Sequence, residues 1–336
     1  MPGMIKVKNA PSIHGLSFRH FRGESDYPGI AAVLNASEAA DQIERNATAE
    51  AIANAYQHLA NCDPYKDMII AEVEGEMIGY VRGGWQDKNT GRGYEHSGFL
   101  VPQWRRKGIG GAMLAWMENR LFEIASTHPK EEAKFFQVAV AQSQEGTAIL
   151  LERAGYRAVR YFYEMVRRTL VDIPASPLPD GLELRPALPE HYPAIWKSID
   201  DTSREEWGYQ RPAEGDYEEW QTTPRFQPHL WQIAWDTATD QVAGHVLTFI
   251  DEEENEQFNR KRGYTEGIGV DPRWRRRGLA RAMISRSLHA QKNAGMTESA
   301  LVADSDSASG ATRLYESCGF QIVKRTAVYR KPFIII

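Results

Sequence analysis

The two halves of this chain repeat one another, and that repetition restricts the fold more than any other feature. Each half opens on a strand-like stretch leading into a helix, LSFRHFRGESDYPGIAAVL from Leu16 and LELRPALPEHYPAIWKSI from Leu182. Each continues with β-rich runs around a short polar or glycine-bearing turn, MIIAEVEGEMIGYVRGGW from Met68 and WQIAWDTATDQVAGHVLTFI from Trp231, which is the pattern of a hairpin. Next come GYEHSGFLVPQWRRKGIGGAMLAWM from Gly93 and GYTEGIGVDPRWRRRGLARAMISRS from Gly263, and the loop glycines Gly108 and Gly278 keep the same separation of 170. ILLERAGY from Ile149 and RLYESCGF from Arg313 end the series, each followed by a strand-like tail. This order predicts a mixed α/β arrangement around one central sheet in each half. Between the halves, DIPASPLPDG (172–181) reads as an extended linker, so domains are expected over 14–171 and 182–336.

A chain of 336 residues is long enough for two such cores. The formal net charge of −5 disfavours a nucleic-acid partner, which usually meets a basic surface. Cys62 and Cys318 are the only cysteines, so neither a disulfide framework nor a thiolate zinc site is expected. The nine histidines form no H-E-x-x-H, and no metal is expected. The start of the sequence lacks the apolar core of a signal peptide, and no run is long enough to cross a bilayer, so the expectation is a cytoplasmic protein without a membrane partner, monomeric or homodimeric. The closing Phe-Ile-Ile-Ile is expected to end a strand or dock as a tail.

The strand-like GYTEGIGV runs through Asp271-Pro272 into an arginine-rich, glycine-bearing turn and then an amphipathic helix with Leu279, Met283 and Leu288 at helical spacing. A strand feeding such a turn presents unpaired N–H groups and the positive end of a helix dipole to one point, which suits a diphosphate. The turn resembles the acyl-CoA motif of the GNAT superfamily: arginine or glutamine, two variable residues, glycine, one variable residue, then glycine or alanine. Arg275, Gly278 and Ala280 fill it in the second half, and Arg105, Gly108 and Gly110 in the first. Leu314, Tyr315, Gly319 and Phe320 match a further signature of the superfamily. The resemblance covers nearly the whole chain and implies a fold of two tandem GNAT domains. It implies acetyl-CoA as cofactor, and main-chain contacts to it from Ile268, Gly269 and Val270 and from Arg275 to Ala280 (Arg276, Arg277 and Leu279 included). In the first half the matching positions are Leu100, Val101, Arg105, Arg106, Lys107, Gly108, Ile109, Gly110 and Gly111. A dinucleotide fingerprint would need glycine at Met113, and the P-loop ending is absent.

Acyl transfer to an amine needs a neutral nucleophile, a stabilised oxyanion and a proton for the departing thiolate. The resemblance assigns that proton to Tyr315; the competing reading is a core aromatic. At the matching place the first half has Leu151, which cannot donate, so chemistry is expected in the second half. The resemblance places a base at Glu266, which could equally be a surface carboxylate; His96 is the aligned residue of the first half, with Glu95 beside it. Strand alternation puts Glu266, Ile268 and Val270 on one face. The asparagine common before the last helix is replaced by Ala308 and Gln144, with Ser307 as a substitute. The acidic run from Asp251 to Glu256 is expected as a solvated loop, or as an attractor for a cationic amine. Glu206-Trp207-Gly208-Tyr209 and Tyr217-Glu218-Glu219-Trp220 are candidates for the acceptor wall, with core packing as the alternative for the tryptophans.

The expectation is an acetyl-CoA-dependent N-acetyltransferase acting on a small primary amine by direct transfer. The tandem layout with VDP, RRGLA and LYES elements is similar to mycothiol synthase-like members, which acetylate an amine-bearing thiol precursor. A CoA-binding sensor or scaffold without turnover is the alternative from another class.

Overall fold

The computed structural model describes residues 4–129, 133–307 and 310–333. The chain forms two compact units, one reaching to Val159 and taking back the stretch from Thr326 onward, the other spanning Arg160–Arg325.

The first unit is built from β1 (Leu16–His20), α1 (Tyr27–Ala40), α2 (Ala49–Gln57), β2 (Met68–Val73), β3 (Glu76–Lys88), β4 (Gly91–Leu100), α3 (Ile109–Ser126), β5 (Lys134–Ala141) and α4 (Glu145–Arg153). After these comes β6 (Arg157–Arg167). Strands β1 to β5 pair in sequence order, antiparallel except for the parallel β4 and β5. The β2–β3 connection is the two-residue turn Glu74-Gly75, both left-handed (φ 51° and 87°), the geometry whose twist matches a hairpin. Ile109, Met113, Met117 and Leu121 line one side of α3 and are buried against Ile69, Val81, Tyr94 and Val138 of the sheet.

In the second unit the same order returns as β7 (Leu182–Arg185), α5 (Tyr192–Ser203), α6 (Asp216–Trp220), β8 (Gln232–Asp236), β9 (Gln241–Ile250), α7 (Glu252–Gln257), β10 (Arg262–Val270), α8 (Leu279–Asn293), β11 (Glu298–Asp304) and α9 (Ala311–Ser317). The final strand is β12 (Gln321–Pro332). Again β10 and β11 are the parallel pair, with β9, β8 and β7 following antiparallel.

The sequence repeat and the spatial unit differ by one strand. Thr326–Pro332 of β12 pairs antiparallel with β5 of the first unit, and Phe162–Arg167 of β6 pairs antiparallel with β11 of the second. Each tail therefore supplies the last strand of the other repeat's sheet, and the units do not divide at 172–181. Nor does that segment hang free: Ser285 and Arg286 of α8 donate to the carbonyls of Pro174 and Ser176 (2.7 and 3.0 Å), and Leu178 packs beside Leu279 and Met283. Phe333 docks on Phe136 with ring centroids 4.2 Å apart; the three isoleucines after it lie outside the described residues.

The acidic run is a helix, α7, rather than a loop. Asp251 caps it by accepting from the Glu254 N–H (2.9 Å), and Glu252, Glu253 and Glu254 occupy the first turn, where the helix dipole favours negative charge. Glu254 also accepts from the Tyr264 hydroxyl (2.6 Å) and pairs with Arg260. Among the described residues no helix is long and apolar enough to cross a membrane.

Candidate active site

The two parallel strands of the second unit part company along their length. Register between β10 and β11 holds from Arg262↔Glu298 to Tyr264↔Ala300 and then ends, leaving the β11-facing edge of β10 without a strand partner from Thr265 onward. The root of this slot is pinned by a hydroxyl cluster buried from solvent. Thr265 Oγ1 lies 2.9 Å from Ser299 Oγ and 3.1 Å from Ser287 Oγ, and it accepts from Gln291 (2.7 Å). The Gln291 amide nitrogen and the three hydroxyls are bonded within this network, which ties strands and helix to one register, while Gln291 Oε1 is buried without a hydrogen-bond partner among the described residues.

Beyond the root, the alternation expected along β10 fails. Pairing with β9 shifts between Glu266↔Leu247 and Gly269↔His245, a β-bulge, and Gly267 inside it is left-handed (φ 55°). Glu266 consequently lies on the α5 side of the sheet, whereas Ile268 and Val270 turn to the α8 side and pack with Leu279 and Met283. Gly269 is required by closeness: a side chain there would strike the His245 ring and Thr202 of α5. His245 is itself buried, bonded to Ser198 Oγ (3.0 Å), and burial pushes it down to about 4, so it is neutral at pH 7.

The strand end runs into the turn. Arg276 and Gly278 are both left-handed (φ 62° and 88°), and α8 begins at Leu279 without any side-chain cap. The first N–H groups of a helix have no partner within it, so Leu279, Ala280 and Arg281 offer donors at the positive end of a fifteen-residue helix. Among the described residues, no atom beyond the neighbouring residues of the chain lies within 4 Å of where a Gly278 side chain would begin. Arg276 and Arg277 are exposed beside it, Arg277 over the Trp274 ring at 5.0 Å. Arg275 points elsewhere and braces the turn against the strand, its Nε donating to the Val270 carbonyl (3.1 Å) and its Nη1 to Glu205 (2.7 Å). The turn fits a diphosphate held mainly by main-chain N–H groups.

Tyr315, on α9, is buried in the same apolar cluster as Ile284 and Leu288 of α8, and Ile268 of β10 packs against that cluster. Burial, then the negative charge of Glu206, push its hydroxyl up to about 12, so it keeps its proton at neutral pH. Glu206 is raised above its ordinary value by burial and then by Asp304. Glu266 is also raised, by burial, with Arg225 opposing.

The proposed acceptor wall separates into two kinds of residue. Trp220 packs among Trp196, Phe226 and Trp231 (centroids 5.2, 4.8 and 5.3 Å) and belongs to a core. Trp207 instead lies against Phe162 (6.2 Å) and under Arg160, whose guanidinium grips Asp304 with two 2.7 Å hydrogen bonds. Arg160, Phe162 and Asp304 had no signal in the sequence, because the first two belong to the tail strand of the other repeat. Ser307 follows β11, its N–H donating to Asp304 O (3.4 Å); Ala308 lies outside the described residues.

The first unit copies the slot and changes its contents. Pairing of β4 and β5 ends at Glu95↔Gln137, and Arg106 and Gly108 repeat the left-handed turn (φ 62° and 86°) ahead of an equally uncapped α3. Here, however, Pro11 lies 3.6 Å from where a Gly108 side chain would begin, and Leu150 stands within 4 Å of the equivalent points on Gly110 and Gly111. Arg105 donates to the Leu100 carbonyl (3.2 Å) and pairs with Asp41 (2.6 Å). Val101 and Lys107 are partly buried and exposed respectively, Ile109 is fully buried, and Leu151 is buried at the position matching Tyr315. With no bulge in β4, His96 faces α3 rather than the slot. It shares a 2.8 Å hydrogen bond with the Tyr156 hydroxyl, and burial pushes it down to about 3.

The sequence model of the acetyltransferase (GNAT) family matches residues 34–156 and again 195–320, well over half of the chain. The chain belongs to this family. It is a tandem N-acetyltransferase, similar to mycothiol acetyltransferase of Geodermatophilus obscurus at 28% identity over 88% of this chain and 92% of that protein. A second mycothiol acetyltransferase, from Kineococcus radiotolerans, is 27% identical over 75% and 77%. Among solved structures, a GCN5-related N-acetyltransferase from Sphaerobacter thermophilus has a TM-score of 0.74 at 24% identity, over 94% of this GNAT chain and 95% of that one. A tandem GNAT protein from the clavulanic acid biosynthesis pathway has a TM-score of 0.64 at 15% identity over 94% and 98%. These two share the fold.

Proposed function

We propose that the second unit transfers an acetyl group from acetyl-CoA to the primary amine of a small molecule, in one step with both substrates bound. The observation that carries the reading is the run of one slot into one open turn: the unpaired edge of β10 ends at the uncapped start of α8, and Ile268 of that edge packs in the cluster that holds Tyr315. Acetyl-CoA, when bound, supplies the acetyl group as a thioester.

In this reading the N–H groups of Leu279 and Ala280, with Arg276 and Arg277 beside them, hold the diphosphate. The main chain of Ile268 to Val270 takes the pantetheine arm and donates to the carbonyl oxygen. Glu266, raised by burial, takes a proton from the incoming ammonium, directly or through water. Glu206 lies close enough for its charge to act on Tyr315 and draws the cationic amine toward the slot. Tyr315 gives its proton to the sulfur that leaves. The first unit, with Leu151 in place of the acid and Pro11 against its turn, does not carry the reaction. Acceptors resembling the amine-bearing thiol precursor of mycothiol are a second reading, favoured by the relatives matched along almost their whole length. Neither reading involves nucleic acid or a membrane.

Release of free CoA from acetyl-CoA, measured across a panel of small amines, tests the proposal. Turnover with at least one amine, reduced about 10²–10⁴-fold in Tyr315→Phe, is expected for loss of a general acid. A Tyr315→Phe protein that reacts at the normal rate removes Tyr315 from the mechanism. Acetyl-CoA binding without turnover on any amine would favour the sensor.

A further inference from the structure

The first unit holds a cavity of about 480 Å³ on the side of its sheet away from α3, beside the place where β4 and β5 separate. Its floor comes from neighbouring strands in register: Arg82 pairs with Ser97, Gly84 with Glu95, and Glu95 with Gln137. The segment after α2 closes it from above, since the Asn61 carbonyl and Cys62 Cβ stand 3.1 and 3.2 Å from where a Gly84 side chain would begin. Glycine at position 84 thus keeps that end of the cavity small but open.

The charges around the cavity are matched except for one. Glu95 is held by Lys88 (2.9 Å) and by the Gln137 amide (2.6 Å), and Asp67 by Arg120 (2.9 Å). Arg82 lines the cavity with its guanidinium over the Tyr56 ring at 4.8 Å, and among the described residues no carboxylate pairs with it. Its Nη1 is buried and has no hydrogen-bond acceptor. A buried charged donor without an acceptor is unfavourable in a folded protein, and a ligand that completes it removes the penalty. Three residues beyond the matching strand positions Gly79 and Gly244, the second unit has Leu247 where the first has Arg82, so the cation is particular to the first slot.

We infer that this cavity is a second binding site, taking a small metabolite with one carboxylate, of the size of an amino acid or a short organic acid. The planar guanidinium fork matches a carboxylate, and a single negative charge balances the single unmatched cation. A doubly charged phosphate would leave one negative charge unbalanced, because the other cations beside the cavity, Lys88 and Arg120, already pair with Glu95 and Asp67. The volume lies in the range of small-molecule sites, roughly 300–1,000 Å³. With Leu151 where a proton donor would stand, the ligand is bound and not acetylated.

Ligand-observed saturation-transfer NMR on the full chain, with L-alanine, pyruvate, L-alaninamide and inorganic phosphate as probes, tests the inference independently of any acetyl transfer. L-Alanine and pyruvate are expected to bind, L-alaninamide not to, and phosphate to bind more weakly than either. Arg82→Gln is expected to weaken pyruvate binding at least about tenfold while CoA release at the second unit is unchanged. Ser97→Phe, which fills the cavity and leaves Arg82 in place, should abolish binding and keeps the test decisive if Arg82→Gln does not fold. Failure of both carboxylates to bind, undiminished binding by the two variants, or tighter binding of phosphate would each overturn it.

Discussion

The bulge in β10 is the point at which the candidate site depends most sharply on one residue. Gly267 is left-handed, a conformation that costs an L-residue about 1–2 kcal/mol. A methyl group added there would begin 2.8 Å from Leu247 Cδ1, 2.9 Å from Cγ and 3.0 Å from Cβ, and overpacking of this kind costs roughly 1–3 kcal/mol more. Gly267→Ala should therefore lose about 2–5 kcal/mol, read as a lower urea midpoint for the second unit. Relief by flattening the bulge shifts register by one residue and brings Glu266 and Ile268 onto the same face, so CoA release should fall as well. Leu247→Ala in the same chain removes the two closest overlaps, at Cδ1 and Cγ, but neither the Cβ approach nor the backbone cost. A double-mutant cycle should accordingly give a compensating coupling of about 1–3 kcal/mol. A loss below about 0.5 kcal/mol, or sites that add independently, would refute the reasoning.

Other outcomes follow from the same geometry. Burial holds Glu266 above its ordinary value of 4.5, so the rate of acetyl transfer should fall as pH drops through that raised value, and Glu266→Gln should lose both rate and the acidic limb; a limb that survives assigns the base elsewhere. His96 and His245, depressed to about 3 and 4, stay neutral when folded and take up protons when unfolded. Their stabilisation is full above about 6.5 and is lost as pH falls toward 4, so urea midpoints should drop between pH 7 and pH 5, less steeply in His245→Asn. Gly278→Ala forces a left-handed alanine at about 1–2 kcal/mol and should weaken acetyl-CoA binding about tenfold by calorimetry, whereas Gly108→Ala should leave it unchanged.

Much of this was visible in the sequence because the informative features are local. The turn from Asp271 to Ala280, the apolar face of α8 and the Glu74-Gly75 hairpin are each set by neighbouring residues, and each forms where its pattern stands. The exchange of β6 and β12 was not legible, since RAVRYFYEMVRR and QIVKRTAVYRK are both strand-like and nothing in either names its partner. Alternation misplaced Ile268 and Val270 relative to Glu266 because one glycine carries a bulge, and the same bulge breaks the equivalence of His96 and Glu266 that sequence alignment suggests. The acidic run formed a helix through a cap at Asp251 and partners at Arg260 and Tyr264, the last lying on a different element.

The most direct test of the account is a crystal structure of the full chain with CoA. The diphosphate is predicted at the N–H groups of Leu279 and Ala280, beside Arg276, with the pantetheine arm between β10 and β11 and the sulfur within hydrogen-bond reach of the Tyr315 hydroxyl. A diphosphate bound only at Gly108, or a sulfur that the Tyr315 hydroxyl does not face, would contradict it.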